Sequence, residues 1–250
     1  MRSISGWFHR GRPANDIDAE SLAWGRAHCC SAERLDQLVA LSRERFGWFT
    51  KHLPRSVEYP WILDALGSVS GKRILDIGAG ISPIPLALAE AGALVTTVDH
   101  SPTSLSSIDH IRRGNEWGFL DYALLDKRVQ SLNQDIASVQ LSAGTFDAVY
   151  SISVIEHMPA TVRRRTFDLV ARCSSHSASL ILTVDLVPGS EQLWNRALGQ
   201  IVDPPDQHGT LDSMKEELSA VGFRTVREAV VREIPLAEVD CALLMLEQTR

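Results

Sequence analysis

Residues 73–85 read RILDIGAGISPIP. Ile74, Leu75 and Ile77 form a short apolar run of the kind found at the buried centre of a parallel sheet. Gly78 and Gly80 let the backbone turn sharply and leave room for a ligand close to it. Ser82 suits a helix N-cap and Pro83 the first helical position, where a missing N–H costs nothing. The order is strand, glycine turn, helix N-terminus, which is where nucleotide-like ligands sit on an α/β sheet. A tight turn between strand and helix also needs glycine for its own sake, so the rest of the chain must discriminate.

Downstream, apolar runs alternate with helical periodicity. Strands are expected at 74–77, 94–98, 129–132, 146–152, 180–185, 224–231 and 241–247. Helices are expected at 83–91, from Ser101 and Pro102 to about Arg113, at 159–173, 191–199 and 211–221, with an irregular insertion at 114–127. This alternation implies a Rossmann-like α/β fold: a seven-stranded, mostly parallel sheet with helices on both faces. Residues 232–240 are too few for a helical crossover, so the last strand is expected to be antiparallel. Upstream, residues 16–30, 31–49 (capped by Ser31) and 60–66 read as helices, with Pro60 in the first turn of the third. Residues 1–70 thus form an N-terminal helical cap, set over a cleft or packed on the sheet edge, and 71–250 the sheet domain. Trp7 and Phe8 give the otherwise polar first residues something to pack.

The chain of 250 residues carries 25 basic and 31 acidic side chains, a net charge of −6. That disfavours nucleic acid or an anionic membrane as partner. No apolar run approaches the ~20 residues of a membrane span, and the N-terminus has no apolar signal core. Cys29, Cys30, Cys173 and Cys241 show no disulfide or zinc spacing, which fits reduced thiols in a cytoplasmic protein.

A dinucleotide fingerprint needs a third glycine, and here Pro83 stands in its place. The acids are more informative. Asp76 lies inside the first strand, Asp99 ends the second, and Asp135 follows the third. Asp99 is placed to accept both hydroxyls of a ribose, and Asp135 to receive an adenine amino group. Such an edge suits a phosphate poorly. It suits a ligand with a ribose, an amino group and a sulfonium cation.

With these residues in place, the chain resembles a class I S-adenosylmethionine-dependent methyltransferase over roughly residues 72–247. ILDIGAG matches the family's first motif, VTTVD the second, and FDAVYSISVIEHM the fourth. The ISPIP run and Gln134 depart from the usual pattern. The resemblance implies S-adenosylmethionine as cofactor. Asp76 and the backbone of Gly78, Ala79 and Gly80 would hold its methionine end. Asp99, with His100 beside it, would hold the ribose, and Asp135 with the Ile136 backbone the adenine. Ser151 and Ile152 would face the methyl group, and the N-terminal cap would select the substrate.

Methyl transfer from a sulfonium is an in-line displacement in which positioning supplies much of the acceleration. A base is needed only where the acceptor must lose a proton. Glu156 and His157 follow the fourth strand, at the mouth of the expected cleft, and are the candidate catalytic pair. They could equally brace the helix that begins near Pro159. His208 lies in a loop that could also reach substrate, and Arg163, Arg164 and Arg165 read as a solvated helix face. No metal centre is expected, because Glu156 alone lacks clustered acids around it. DPPD at 203–206 lies after strand five and lacks the aromatic of the base-methylating enzymes. The expected acceptor is a small molecule, through oxygen ahead of nitrogen. The GAGISPIP run resembles enzymes of natural-product and surface-saccharide pathways. A non-catalytic S-adenosylmethionine-binding regulatory module is the alternative.

Overall fold

The computed structural model describes residues 16–100, 116–197 and 199–249. The aromatics Trp7 and Phe8 and the helix expected from Ser101 to Arg113 lie outside these residues.

The seven expected strands are present: β1 (Arg73–Ile77), β2 (Leu94–Asp99), β3 (Val129–Asn133), β4 (Phe146–Ile152), β5 (Ser174–Leu186), β6 (Phe223–Val231) and β7 (Asp240–Gln248). They form one sheet in the order β3-β2-β1-β4-β5-β7-β6. β7 runs antiparallel to both β5 and β6, and the other described pairings are parallel. A chain reversal of a few residues permits only that arrangement.

Alternation along the strands sends successive side chains to opposite faces. Ile74, Ala148 and Tyr150 join one core with α1 (Ala19–His28), α2 (Ala32–Phe46), α3 (Arg55–Leu66) and α4 (Ile84–Glu90). Leu75, Ile77 and Val149 join the other, with α5 (Ala160–Cys173) and α7 (Leu211–Ala220), which follows the short α6 (Pro205–His208). The N-terminal helices therefore cover one face of the sheet, and α3 reaches β4, β5 and β7.

Local signals explain several boundaries. Ser31 caps α2 by accepting from the Arg34 N–H. Ser82 accepts from the Ile84 N–H at 3.3 Å, and Pro83 already has helical dihedrals. Three expectations need correction. α2 stops at Phe46, where Gly47 takes the left-handed conformation at φ 87°. α3 begins at Arg55, so Pro60 lies inside the helix and not in its first turn. The helix expected at 191–199 is absent among the described residues. Leu193 instead bridges Leu186, and Arg196–Ala197 pair with Gln200–Ile201 in a small hairpin. Here the Leu193 and Trp194 N–H groups go to the Gly209 and Asp185 carbonyls and not to a helical turn.

Candidate active site

Parallel register sets the floor of the site. Asp76 on β1 stands opposite Tyr150 on β4, and the Tyr150 hydroxyl donates to Asp76 Oδ2 at 2.7 Å. Burial pushes the Asp76 carboxyl up to about 8, against the lowering effect of that hydrogen bond, and the charge of Asp99 adds to the rise. Asp99 ends β2 and turns back toward the glycines. Its Oδ2 accepts from the Gly80 N–H and its Oδ1 from the His100 N–H, each at 2.6 Å. Burial raises this carboxyl to about 6.

The turn between them is tight. Gly78 and Gly80 have φ of 74° and 51°. A Cβ on Gly80 would lie 2.4 Å from the Glu116 carbonyl oxygen, and one on Gly78 2.4 Å from a Val154 methyl. Tyr122, fully buried, braces the turn: its hydroxyl donates to the Gly80 carbonyl at 2.9 Å and accepts from the Ser82 N–H at 2.8 Å.

These groups border a cavity of about 250 Å³ lined by Asp76, Gly78, Ala79, Gly80, Asp99 and His100, with Ile152, His157 and Arg55 among its other walls. Ser151 lies beneath, its hydroxyl donating to the Ile77 carbonyl at 2.9 Å. Asp135 and Ile136 do not line it. Asp135 is exposed and accepts from the Ala137 N–H, while Ile136 packs into the second core. The cavity fits the amino-acid and ribose end of S-adenosylmethionine. Asp76 is a buried acid that accepts from the Tyr150 hydroxyl and could also receive an ammonium. Asp99 keeps lone pairs for hydroxyls. The helix start carries Pro83 and Pro85, which have no N–H for a phosphate.

A second cavity of about 740 Å³ adjoins the first through Trp117 and His157. His52, Asp185, Trp194 and Arg196 contribute to its wall, with Leu236 and Val239. His157 Nδ1 meets the Arg196 carbonyl oxygen at 2.6 Å, which fixes the proton on Nδ1 and leaves Nε2 with its lone pair. Burial lowers the His157 pKa, so the ring is neutral at neutral pH. Glu156 is fully buried and lines neither cavity. Its Oε1 accepts from the Asp185 N–H at 2.8 Å, and burial pushes it up to about 8. It holds the end of β5 against the turn after β4.

The most consequential groups escape sequence reading. α3 inserts Arg55 and Glu58, both buried, at the carboxyl end of the sheet. Arg55 Nη1 lies 2.5 Å from Glu58 Oε2. Glu58 Oε1 accepts from the hydroxyls of Ser153 at 2.5 Å and Thr183 at 2.6 Å. The ion pair and these hydrogen bonds hold Glu58 below its usual pKa despite burial. The one signal was a charged pair at i and i+3 on an otherwise apolar helix.

Of the arginines expected on a solvated face, Arg164 and Arg165 are exposed and Arg163 is not. Arg163 is fully buried, bonded to Glu217 through Nε at 2.9 Å and to the His208 carbonyl through Nη2 at 2.9 Å. His208 is fully buried too and lines neither cavity.

A family described as "Methyltransferase domain" matches residues 75–182. The mitochondrial ubiquinone biosynthesis O-methyltransferase of Schizosaccharomyces pombe is 27% identical over 170 residues, 65% of this chain and 59% of that protein. Ubiquinone biosynthesis O-methyltransferase of Xanthomonas oryzae pv. oryzae is 30% identical over 128 residues, 50% of each chain. The chain thus spans between half and three fifths of these relatives. Among solved structures, the Burkholderia thailandensis 1,6-didemethyltoxoflavin-N1-methyltransferase, with bound 1,6-didemethyltoxoflavin and S-adenosylhomocysteine, superposes with a TM-score of 0.58. It is 15% identical, and the match covers 87% of this chain and 82% of that one.

Proposed function

We propose that this chain, which belongs to the class I S-adenosylmethionine-dependent methyltransferases, transfers a methyl group to an oxygen of a small molecule held in the larger cavity. The observation that carries the reading is His157 at the junction of the two cavities, with Nδ1 fixed on a carbonyl and Nε2 4.0 Å from Glu156 Oε1.

S-adenosylmethionine supplies a methyl group already activated by a sulfonium. The protein's part is to hold, orient and deprotonate. Asp76 receives the ammonium, Arg55 the carboxylate, and Asp99 the ribose hydroxyls. Ser151 and Ile152, at the end of β4, back the region of the methyl group. His157 Nε2 accepts the proton of the acceptor hydroxyl as its oxygen attacks. Glu156 positions β5 and does not touch substrate. Residues 16–70 serve as the substrate-selecting cap through His52, which lines the larger cavity. Oxygen as the acceptor atom is supported by the names of the O-methyltransferase relatives. The setting in natural-product or surface-saccharide biosynthesis rests on the GAGISPIP resemblance alone. Among the described residues no helix is long and apolar enough to cross a membrane, and all four cysteines are free, which accords with a cytoplasmic enzyme acting on a diffusible acceptor.

Thermal unfolding with S-adenosylmethionine, S-adenosylhomocysteine and NAD tests the cofactor. Ligand at 100 times its dissociation constant adds about 2.7 kcal/mol. Both adenosyl ligands are expected to stabilise the protein, NAD is not, and Asp99→Ala removes the effect. Turnover is then measured in His157→Ala, where a loss of roughly 10²–10⁴ in kcat is expected. Full activity in that variant rejects the base.

A further inference from the structure

At the wall between the two cavities, one hydroxyl stands between two carboxyl groups. Ser153 Oγ lies 2.5 Å from Glu58 Oε1 and 3.2 Å from Asp185 Oδ1. A hydroxyl has a single hydrogen to donate. Glu58 takes it: that contact is shorter, and Glu58 is already held as the anion by Arg55 and Thr183. The main chain of Ser153 is held in place, which keeps Oγ between the two carboxyl groups. Its φ is 47°, in the left-handed region, and its N–H is tied to the Thr183 carbonyl at 2.9 Å. A hydrogen carried by Asp185 would serve the second, 3.2 Å contact without competing with Glu58.

We propose that Asp185 stands in the larger cavity as an uncharged carboxylic acid, donating its proton to Ser153, and that the methyl acceptor is accordingly an uncharged hydroxyl compound and not a cationic amine. This rests on the reading of that cavity as the acceptor site.

The surroundings agree. Glu58 and Arg55 face Asp185 from α3, Glu156 and His157 from the turn after β4, and Cys241 from β7. The guanidinium among them is already paired with Glu58. Burial, then the charges of Glu156 and Glu58, push the Asp185 carboxyl well above the carboxylate range. The remaining inner wall is neutral as well. Burial and the Arg55 charge hold His52 at about 4, and His157 is lowered by burial. The charged Arg196 and Glu238 are exposed and opposite in sign. A cation entering here would shed its water and find no counter-charge, which is costly. A neutral hydroxyl finds a carboxyl oxygen and an imidazole nitrogen.

Infrared difference spectroscopy of the whole chain, wild type minus Asp185→Asn at neutral pH, tests the protonation directly and independently of turnover. The C=O band of a protonated carboxylic acid is expected in the wild type and lost in the variant; its absence overturns the proposal. Activity is then read with an uncharged hydroxylated acceptor. Asparagine keeps the donor to Ser153 and the carbonyl toward the cavity, so kcat/KM is expected to fall by less than ~10-fold in Asp185→Asn but by more than ~100-fold in Asp185→Ala. Equal losses in both variants mean that Asp185 works as an anion, and the proposal fails. Turnover of a cationic amine in preference to hydroxyl compounds also overturns it, as does tight binding of Mg²⁺ alone at Glu156, His157 and Asp185, which requires an ionised Asp185. If neither acceptor class is methylated, the methyltransferase reading fails while the infrared result still decides the state of Asp185.

Discussion

Tyr150 donates its hydroxyl to Asp76 across the β1–β4 register at 2.7 Å, and burial nevertheless pushes that acid up to about 8. In the proposed site the cofactor ammonium pairs with the anion of Asp76, so cofactor binding would draw a proton out of the site. S-adenosylhomocysteine affinity is therefore expected to rise between pH 6.5 and 8, by at most about tenfold per pH unit for one coupled proton. Asp99, at about 6, has largely titrated below that window. Tyr150→Phe removes the donor that favours the anion and shifts the rise to higher pH. Asp76→Asn flattens it. Calorimetric titration across pH checks all three.

The same burial makes the ligand-free fold sensitive to base. Asp76 and Glu156 both titrate near 8 in the fold, against ordinary values near 4 when unfolded. Between pH 6.5 and 8 the folded chain holds protons that the unfolded chain has released, so raising pH favours unfolding. His52 and His157, lowered by burial, oppose this near pH 6.5, where unfolded imidazoles still hold protons, so the fall is steepest toward pH 8. Urea midpoints are expected to fall from pH 6.5 to 8, and Glu156→Gln to lessen the slope.

The two glycines of the turn differ in how they fail. A Cβ on Gly78 strikes a valine methyl, whereas one on Gly80 strikes a backbone carbonyl. Each alanine variant carries a positive φ, which costs on the order of 1–2 kcal/mol. Val154→Ala is expected to restore part of the stability of Gly78→Ala and none of that of Gly80→Ala. Denaturant unfolding of the double variants reads this out.

Tyr122→Phe leaves the Ser82 N–H buried without its partner. A loss of roughly 1–3 kcal/mol is expected, with weaker S-adenosylhomocysteine binding because the Gly80 carbonyl loses its donor as well. Unchanged stability would mean that the turn holds its shape without the brace.

Much of this architecture was legible in the chain. The central strands β1, β4 and β5 are largely apolar runs buried on both faces, and Asp76 within β1 and Asp99 at the end of β2 sit where the turn chemistry places them. What escaped depends on partners distant in sequence. Arg55 and Glu58 have the composition of an exposed helical turn, and only their contacts with Ser153, Thr183 and Cys241 explain their burial. The start of α3 was misplaced for a related reason: a helix-starting proline at 60 reads well locally, but the helix is set by packing of residues 55–59. Arg163 sits in a run of three arginines that looks solvated until Glu217 folds across it. Asp185 reads as the plain end of a strand, and its neighbours Glu58 and Glu156 come from other parts of the chain. Asp135 follows β3 as expected, is exposed, and accepts from the Ala137 N–H through one carboxylate oxygen.

The imidazole of His157 takes its orientation from the main-chain carbonyl of Arg196, in the small hairpin that also borders the larger cavity. Every amino acid carries that oxygen. The side chains of this hairpin are thus free to diversify with the acceptor while the nitrogen proposed to accept the proton stays aimed. A change in the hairpin's length acts differently, because it moves the oxygen itself. Evolution of specificity at this rim can proceed by substitution at little cost to rate, and insertion or deletion is the event that silences the chemistry.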